Sequence, residues 1–283
     1  MLGRAIVASA LGLAVWLPGP ALADARADAI AAVERLGGKV EFESGAAGQS
    51  LGAVFLTGSR VTDRDLDLLA AFPELKRLTL TDSAVTDAGL KTVGRLARLE
   101  SLYLQDTAVT DAGLIRLKGL GRLRLLNLSG TRVSDRGLAH IGQMRGLDML
   151  RLDHTAVTDA GLEHLAGLSD LWVLGLEGTA VTDTGLKHLA GVRKLDCLDL
   201  AGTGVTDAGL KHLAVFKNLT RLDLADTAVT DEGLATLREH KSLRWVWLDG
   251  AKVTTAGIAA LREAIPELAV GDEPRKRRAP QRR

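Results

Sequence analysis

Disulfides, long apolar spans and a predominant sign of charge are all missing from this chain. Cys197 is its only cysteine, so no internal disulfide is possible and stability has to come from packing. Lys plus Arg total 36 against 35 for Asp plus Glu, a formal net charge of +1. That balance carries no mark of a specific nucleic-acid binder or of an acidic interaction tail. The conspicuous apolar stretch, Ala5 to Trp16, is too short, and too soon followed by Pro18 and Pro20, to span a bilayer. With Arg4 before it and Ala21-Leu22-Ala23 behind, it reads as a secretory signal with cleavage after Ala23. An uncleaved membrane anchor is the rival reading. No cysteine follows the expected cut, which speaks against a lipoprotein anchor. The mature chain, from Asp24, is then expected in the periplasm or outside the cell, with no membrane span.

Insertions are missing too, and their absence makes the main feature visible. The segment Leu171 to Leu186 follows the template L-x-x-L-x-L-x-x-T-x-V-T-D-x-G-L. Its fourth position recurs every 24 residues as Val54, Leu78, Leu102, Leu126, Leu150, Leu174, Leu198, Leu222 and Val246. Nine copies in register signal a solenoid, in which each turn of chain buries its core against its neighbours. Residues 1–23 are then the signal, 24–50 an N-terminal cap, 51–271 the solenoid with its C-terminal cap, and 272–283 a disordered basic tail.

Within a repeat each position has a physical task. Ser101-Leu102-Tyr103-Leu104-Gln105 alternates polar and apolar and predicts a short strand with its leucines inward. The next position holds only Gly, Asp or His, from Gly58 and Asp82 to Gly250, which predicts a corner in the left-handed region. A Ser or Thr then recurs from Ser59 to Thr227 and ends at Ala251. It predicts a hydroxyl ladder serving buried loops, lost where no further repeat follows. Thr-Asp-x-Gly-Leu predicts a helix start, with Thr as the N-cap and Asp favourable in the first turn. Its glycine, Gly89 to Gly257 in eight repeats, predicts close packing against the preceding repeat, since it costs about 1 kcal/mol in a helix otherwise. The first repeat has Asp65 there. Gly119, Gly167 and Gly191 are placed to end helices in the left-handed form. At the N-terminus a helix is expected over Ala25–Leu36, a strand over Val40–Glu43 and a loop over Ser44–Ser50.

Strand, corner, Val-Thr-Asp-x-Gly-Leu and helix together resemble the leucine-rich-repeat superfamily over about residues 50–270. The pattern is similar to its ribonuclease-inhibitor-like class, to the repeats attached to F-box proteins, and to bacterial exported proteins built almost wholly of such repeats. The resemblance implies an α/β fold: a right-handed horseshoe with a parallel concave β-sheet and short convex helices, binding proteins through the sheet. This chain has Thr where many relatives carry Asn or Cys in the ladder, and it has no F-box and no catalytic domain.

Function is expected where the template leaves residue choice free. The outward strand positions include Tyr103, Asn127, Arg151, Asp153, Glu177, Asp199, Arg221, Asp223, Trp245 and Trp247. Aromatic and Arg anchors beside acids are the chemistry of protein hot spots. These ten are the expected contact residues for a protein or peptide partner of a non-catalytic, monomeric protein without cofactors. Arg151→Ala with Trp247→Ala is expected to weaken capture and leave unfolding unchanged. The rival reading pairs Asp153 with Glu177 and Asp199 with Asp223 for envelope glycan hydrolysis or cation binding. A purely structural spacer is the third reading. His140, His164, His188 and His212 share one helix position, but helices 8–10 Å apart keep them from converging on a metal. Residues 272–283 carry six basic and two acidic side chains and are a candidate for weak contact with an anionic envelope surface.

Overall fold

The structure is a computed structural model describing residues 20–45, 48–58 and 60–271. The expected signal core, Ser59 and the basic tail lie outside the described residues. Eleven strands form one sheet in strict chain order: β1 (Lys39–Gly45), β2 (Gly48–Phe55), β3 (Arg77–Thr79), β4 (Ser101–Tyr103), β5 (Leu125–Asn127), β6 (Met149–Arg151), β7 (Val173–Gly175), β8 (Cys197–Asp199), β9 (Arg221–Asp223), β10 (Trp245–Trp247) and β11 (Ala269–Val270). β1 and β2 are antiparallel; from β2 onward every pairing is parallel. Each return passes through a short helix, so the sheet stays open and the molecule is an α/β horseshoe.

The alternation of the template explains the layers. Leu102 and Leu104 are fully buried between sheet and helices, as are Leu117 and Val109 from the far side of the same repeat. All nine corners have positive φ, from 54° at Asp106 and Asp226 to 100° at Gly58. Four of them are non-glycine, Asp82, Asp106, His154 and Asp226, residue types that tolerate this region.

The N-terminus departs from expectation in two ways. The first helix, α1, runs Pro20–Arg35, five residues earlier than Ala25 and across the expected cleavage point. Proline suits the first helical position, where its missing N–H costs nothing. Strand reaches into both ends of the expected loop at Ser44–Ser50: β1 and β2 form an antiparallel ladder from Lys39↔Phe55 to Gly45↔Gly48. This pairing covers the open edge of the first repeat, which would otherwise present unpaired backbone groups. The last helix spans Thr255–Ala264, and β11 closes the other edge.

Two ladder readings need correction. The buried hydroxyls do not link repeats. Thr107 donates to the Leu104 carbonyl at 2.7 Å and Thr131 to that of Leu128 at 2.6 Å, each within its own corner. Ser83, Thr155, Thr179, Thr203 and Thr227 do the same. Ala251 is therefore not explained by the want of a following repeat. The ladder between repeats is made by the helix-start aspartates. Asp111 accepts from Ser134 N–H at 2.7 Å and from its hydroxyl at 2.6 Å, one repeat later. Equivalent pairs run from Asp63–Thr86 to Asp231–Thr254. The threonine hydroxyl meanwhile accepts from its own helix, as Thr158 does from Ala160 N–H at 3.3 Å. Bonds from Thr254 hold the Asp231 carboxyl below its usual range.

That ladder accounts for the helix glycine. A Cβ on Gly137 would fall 2.5 Å from Asp111 Oδ1 and 2.9 Å from Leu114 Cδ1. The first repeat has no aspartate behind it, and Asp65 supplies the acceptor instead. Its Oδ2 lies 2.7 Å from both the amide and the hydroxyl of Thr62. Gly119, Gly167 and Gly191 end 3₁₀ turns without positive φ. At Gly191 the need is space, because a Cβ there would collide with the Ala166 carbonyl.

Candidate functional site

Strand register assembles the candidate face. Tyr103, Asn127, Arg151, Gly175, Asp199, Asp223 and Trp247 stand side by side on β4 to β10. Their side chains line the concave surface, but not evenly. Asn127 is 8 %, Asp153 1 % and Asp223 9 % exposed, whereas Tyr103, Trp245 and Trp247 are half-buried and Asp249 is open to solvent. The middle of the face is thus an acidic floor, and the aromatics stand at its two ends.

One connected network occupies the floor. Asn127 Oδ1 accepts from Ser129 N–H at 3.0 Å and lies 2.8 Å from its hydroxyl, which is also 2.8 Å from Asp153 Oδ2. The same Asp153 oxygen accepts from Arg151 Nε at 2.7 Å, and Oδ1 accepts from Glu177 N–H at 3.2 Å. Arg151 then reaches two strands further, to Asp199 Oδ2 at 3.3 Å. It can do so because Gly175 lies between: a Cβ there would be 2.5 Å from Asp153 Oδ1 and 3.2 Å from Arg151 Nε. Gly175 is the position that lets the arginine pass, and outward-facing chemistry alone did not single it out; its signal was a bare residue in a column of large ones.

Arg221 does not join this network. It pairs with Asp196 at 2.9 Å, turned away from the column. Asp199 has one long bond from Arg151 on one side and Asp223 adjacent on the other. Burial, reinforced by the negative charges of Asp223 and Asp153, pushes the Asp199 carboxyl up to about 7, against the Ala201 amide and Arg151. Asp199 therefore changes charge near neutral pH. Burial likewise pushes the Cys197 thiol up to about 11, so it is not a nucleophile at neutral pH.

The supposed carboxylate pairs separate accordingly. Asp153 turns to Arg151 and Ser129, while Glu177 faces His154, whose Nε2 is 3.6 Å from Glu177 Oε1. Asp199 and Asp223 are true neighbours in register, but each is tied to a backbone amide, of Ala201 at 3.2 Å and Ala225 at 3.0 Å. Two cavities of about 370 Å³ lie at the N-terminal hairpin and among the last convex helices. Neither touches these acids, so neither supplies the cleft a glycosidase needs. Among the described residues no three His, Cys, Asp or Glu side chains are placed to hold a metal ion. Arg151 is half-buried and neutralises a carboxylate with almost no access to water. Arg151→Ala should therefore lower stability as well as weaken any capture, a result that denaturation of the single variant would check.

The comparisons with known proteins agree with this geometry. A family model described as Leucine Rich repeat matches residues 193–214 and 217–237. No curated protein sequence matches the chain. Among solved structures, an internalin of Listeria monocytogenes is 22 % identical with a TM-score of 0.61, covering 75 % of this chain and 58 % of its own. Internalin C2 of the same organism is 27 % identical with a TM-score of 0.52, covering 89 % of this chain and 92 % of its own. A plant peptide hormone receptor, solved in complex with its peptide, is 15 % identical with a TM-score of 0.52 over 81 % of this chain and 39 % of its own. This chain thus spans little more than half the length of the first of these and well under half of the receptor. No helix among the described residues is long and apolar enough to cross a membrane. With its repeat, its open parallel sheet and these likenesses, the protein has the leucine-rich-repeat fold, and two of its repeats match that family's model.

Proposed function

We propose that this protein is an exported, non-catalytic, monomeric scaffold that holds a basic segment of a protein or peptide against its concave sheet. One observation carries the reading. From β5 to β10 the outward positions hold Asp153, Glu177, Asp199, Asp223 and Asp249 against Arg151 and Arg221, of which Arg151 pairs with Asp153 and Arg221 with Asp196; the exposed Arg77 stands further along, on β3. Trp245, Trp247 and Tyr103 flank that floor with broad, half-buried rings, the side chains that anchor partners at low entropic cost. The fold is shared with a plant peptide hormone receptor. Charge complementarity here contributes partner choice and association rate more than raw affinity.

Selection of a random-peptide display library on the protein tests this. Enriched peptides should be rich in Lys and Arg with an apolar or aromatic residue. Fluorescence anisotropy should then show binding weakened tenfold or more by Tyr103→Ala with Glu177→Lys, with thermal unfolding within a few degrees of the parent. Among the described residues neither side chain is held by a close hydrogen bond, the nearest partner of Glu177 being His154 Nε2 at 3.6 Å, so the pair probes the face and not the fold. Enriched peptides without basic residues, or equal binding to the double variant, would overturn the proposal.

A further inference from the structure

A second site lies on the convex side, where the repeat breaks its own rule. The position that closes each helix is apolar in every earlier repeat: Phe72, Leu96, Leu120, Met144, Leu168, Val192 and Phe216. Phe72, Leu168, Val192 and Phe216 are fully buried there. In the eighth repeat it is His240, still only 6 % exposed, and in the ninth the helix again closes on a buried apolar residue, Ile265. Its backbone keeps the usual bonds, accepting from Leu243 N–H at 3.0 Å and donating to the Leu237 carbonyl at 2.9 Å. No hydrogen bond reaches its ring among the described residues. An imidazole in place of a leucine or phenylalanine forfeits apolar burial, and its ring nitrogens are not among the buried atoms left without a partner, so its polar edge is not sealed from solvent.

The ring borders a cavity of about 370 Å³ between the convex segments of the seventh and eighth repeats. Lys211, Lys217 and Lys241 surround it, with the hydroxyl residues Thr236 and Ser242, and Glu239 is its acidic member. Lys211 and Lys217 form no ion pair among the described residues. Lys241 donates to the Ala264 carbonyl at 3.1 Å, which leaves two of its three protons free. Burial, then the charge of Lys217, lower the His240 pKa. The ring is therefore neutral at pH 7, with one donor and one acceptor nitrogen. The cavity has room for about a dozen waters at ~30 Å³ each.

We infer that this cavity binds a phosphate-class oxyanion, free or as a small monoester, through Lys211, Lys217, Lys241 and His240. Several point-charge donors and two hydroxyl residues around one space suit a multiply charged group with many acceptor oxygens better than a single carboxylate. The site is on the face opposite the acidic sheet and stands or falls independently of it.

Calorimetric and thermal titrations with inorganic phosphate, against chloride at equal ionic strength, test the inference, with phosphoserine as the monoester probe. The unmodified protein should bind at roughly millimolar Kd and gain ~3 °C in Tm at tenfold excess. The His240 ring resonance, identified by its loss in His240→Phe, should move with the same Kd. His240→Phe restores the residue type that Phe216 already carries one repeat earlier, so it folds, and it should lose binding tenfold or more. Lys211→Gln with Lys217→Gln changes only exposed side chains and should weaken binding similarly. Phosphoserine binding more tightly than phosphate identifies a monoester as the ligand; equal binding identifies free phosphate. No stabilisation beyond chloride, or undiminished binding by both variants, would refute the site.

Discussion

Gly137→Ala should destabilise the protein by on the order of 3 kcal/mol, lowering Tm by ~6–12 °C. The sign is opposite to the ordinary rule, under which Gly→Ala inside a helix gains about 1 kcal/mol. Here the new methyl falls 2.5 Å from Asp111 Oδ1 and 2.9 Å from Leu114 Cδ1. Asp111 has to move, and with it go the bonds from the Ser134 amide at 2.7 Å and hydroxyl at 2.6 Å. Hydrogen bonds to a charged acceptor contribute about 1.5–3 kcal/mol each, so partial loss of two sets the scale. Gly121→Ala is the matched control, because a Cβ there meets nothing within 4 Å, and it should stay within about 0.5 kcal/mol. In an Asp111→Ala background the Gly137→Ala penalty should shrink, since the acceptor it displaces is already gone. Chemical denaturation of the four proteins measures this; stabilisation by Gly137→Ala would mean the ladder is not what holds neighbouring repeats together.

Asp199→Asn should raise stability at pH 8 by on the order of 2–4 kcal/mol and remove most of the pH dependence between 4 and 8. The folded carboxyl titrates at about 7 against an ordinary 3.8, so the native state holds a proton that the unfolded chain gives up. Its contribution is fully present below about pH 4 and is lost progressively as pH rises through about 7. Asparagine keeps an acceptor for the Ala201 amide without the charge beside Asp223. His240 acts with the opposite sign, because its folded pKa is lowered and its contribution fades as pH falls through its unfolded value. The difference between parent and variant, and not either curve alone, isolates Asp199. Thermal melts from pH 4 to 8 provide it. Parallel curves would show that Arg151 already satisfies the carboxylate. The same ionisation adds a negative charge to the concave floor above neutral pH, so binding of a basic peptide should strengthen from pH 6 to 8.

Much of this molecule was legible before folding was considered. Period, strand alternation and corner residues predicted the sheet, the register and all nine left-handed corners, because each follows from local sterics repeated without slippage. The helix glycine was rightly assigned to close packing against the preceding repeat, but the aspartate it meets there was not foreseen, since the Asp–Thr ladder joins residues 23 apart and is invisible within one copy of the template. The N-terminal hairpin was missed because Gly and Ser at 44–50 look like loop; the need to cover a sheet edge prevailed over their weak strand preference.

The candidate face divides along the same line. By itself the chain determined which residues stand in the concave column, since a period of two along each strand and 24 between strands admits no other arrangement. Only the tertiary structure decided what those residues do to one another. Arg151 passes over Gly175 to reach Asp199, while Arg221 turns aside to Asp196 and leaves two aspartates adjacent. Position along a strand is set by backbone geometry, whereas charge, protonation and exposure depend on rotamers and on neighbours that only folding brings within a few ångströms.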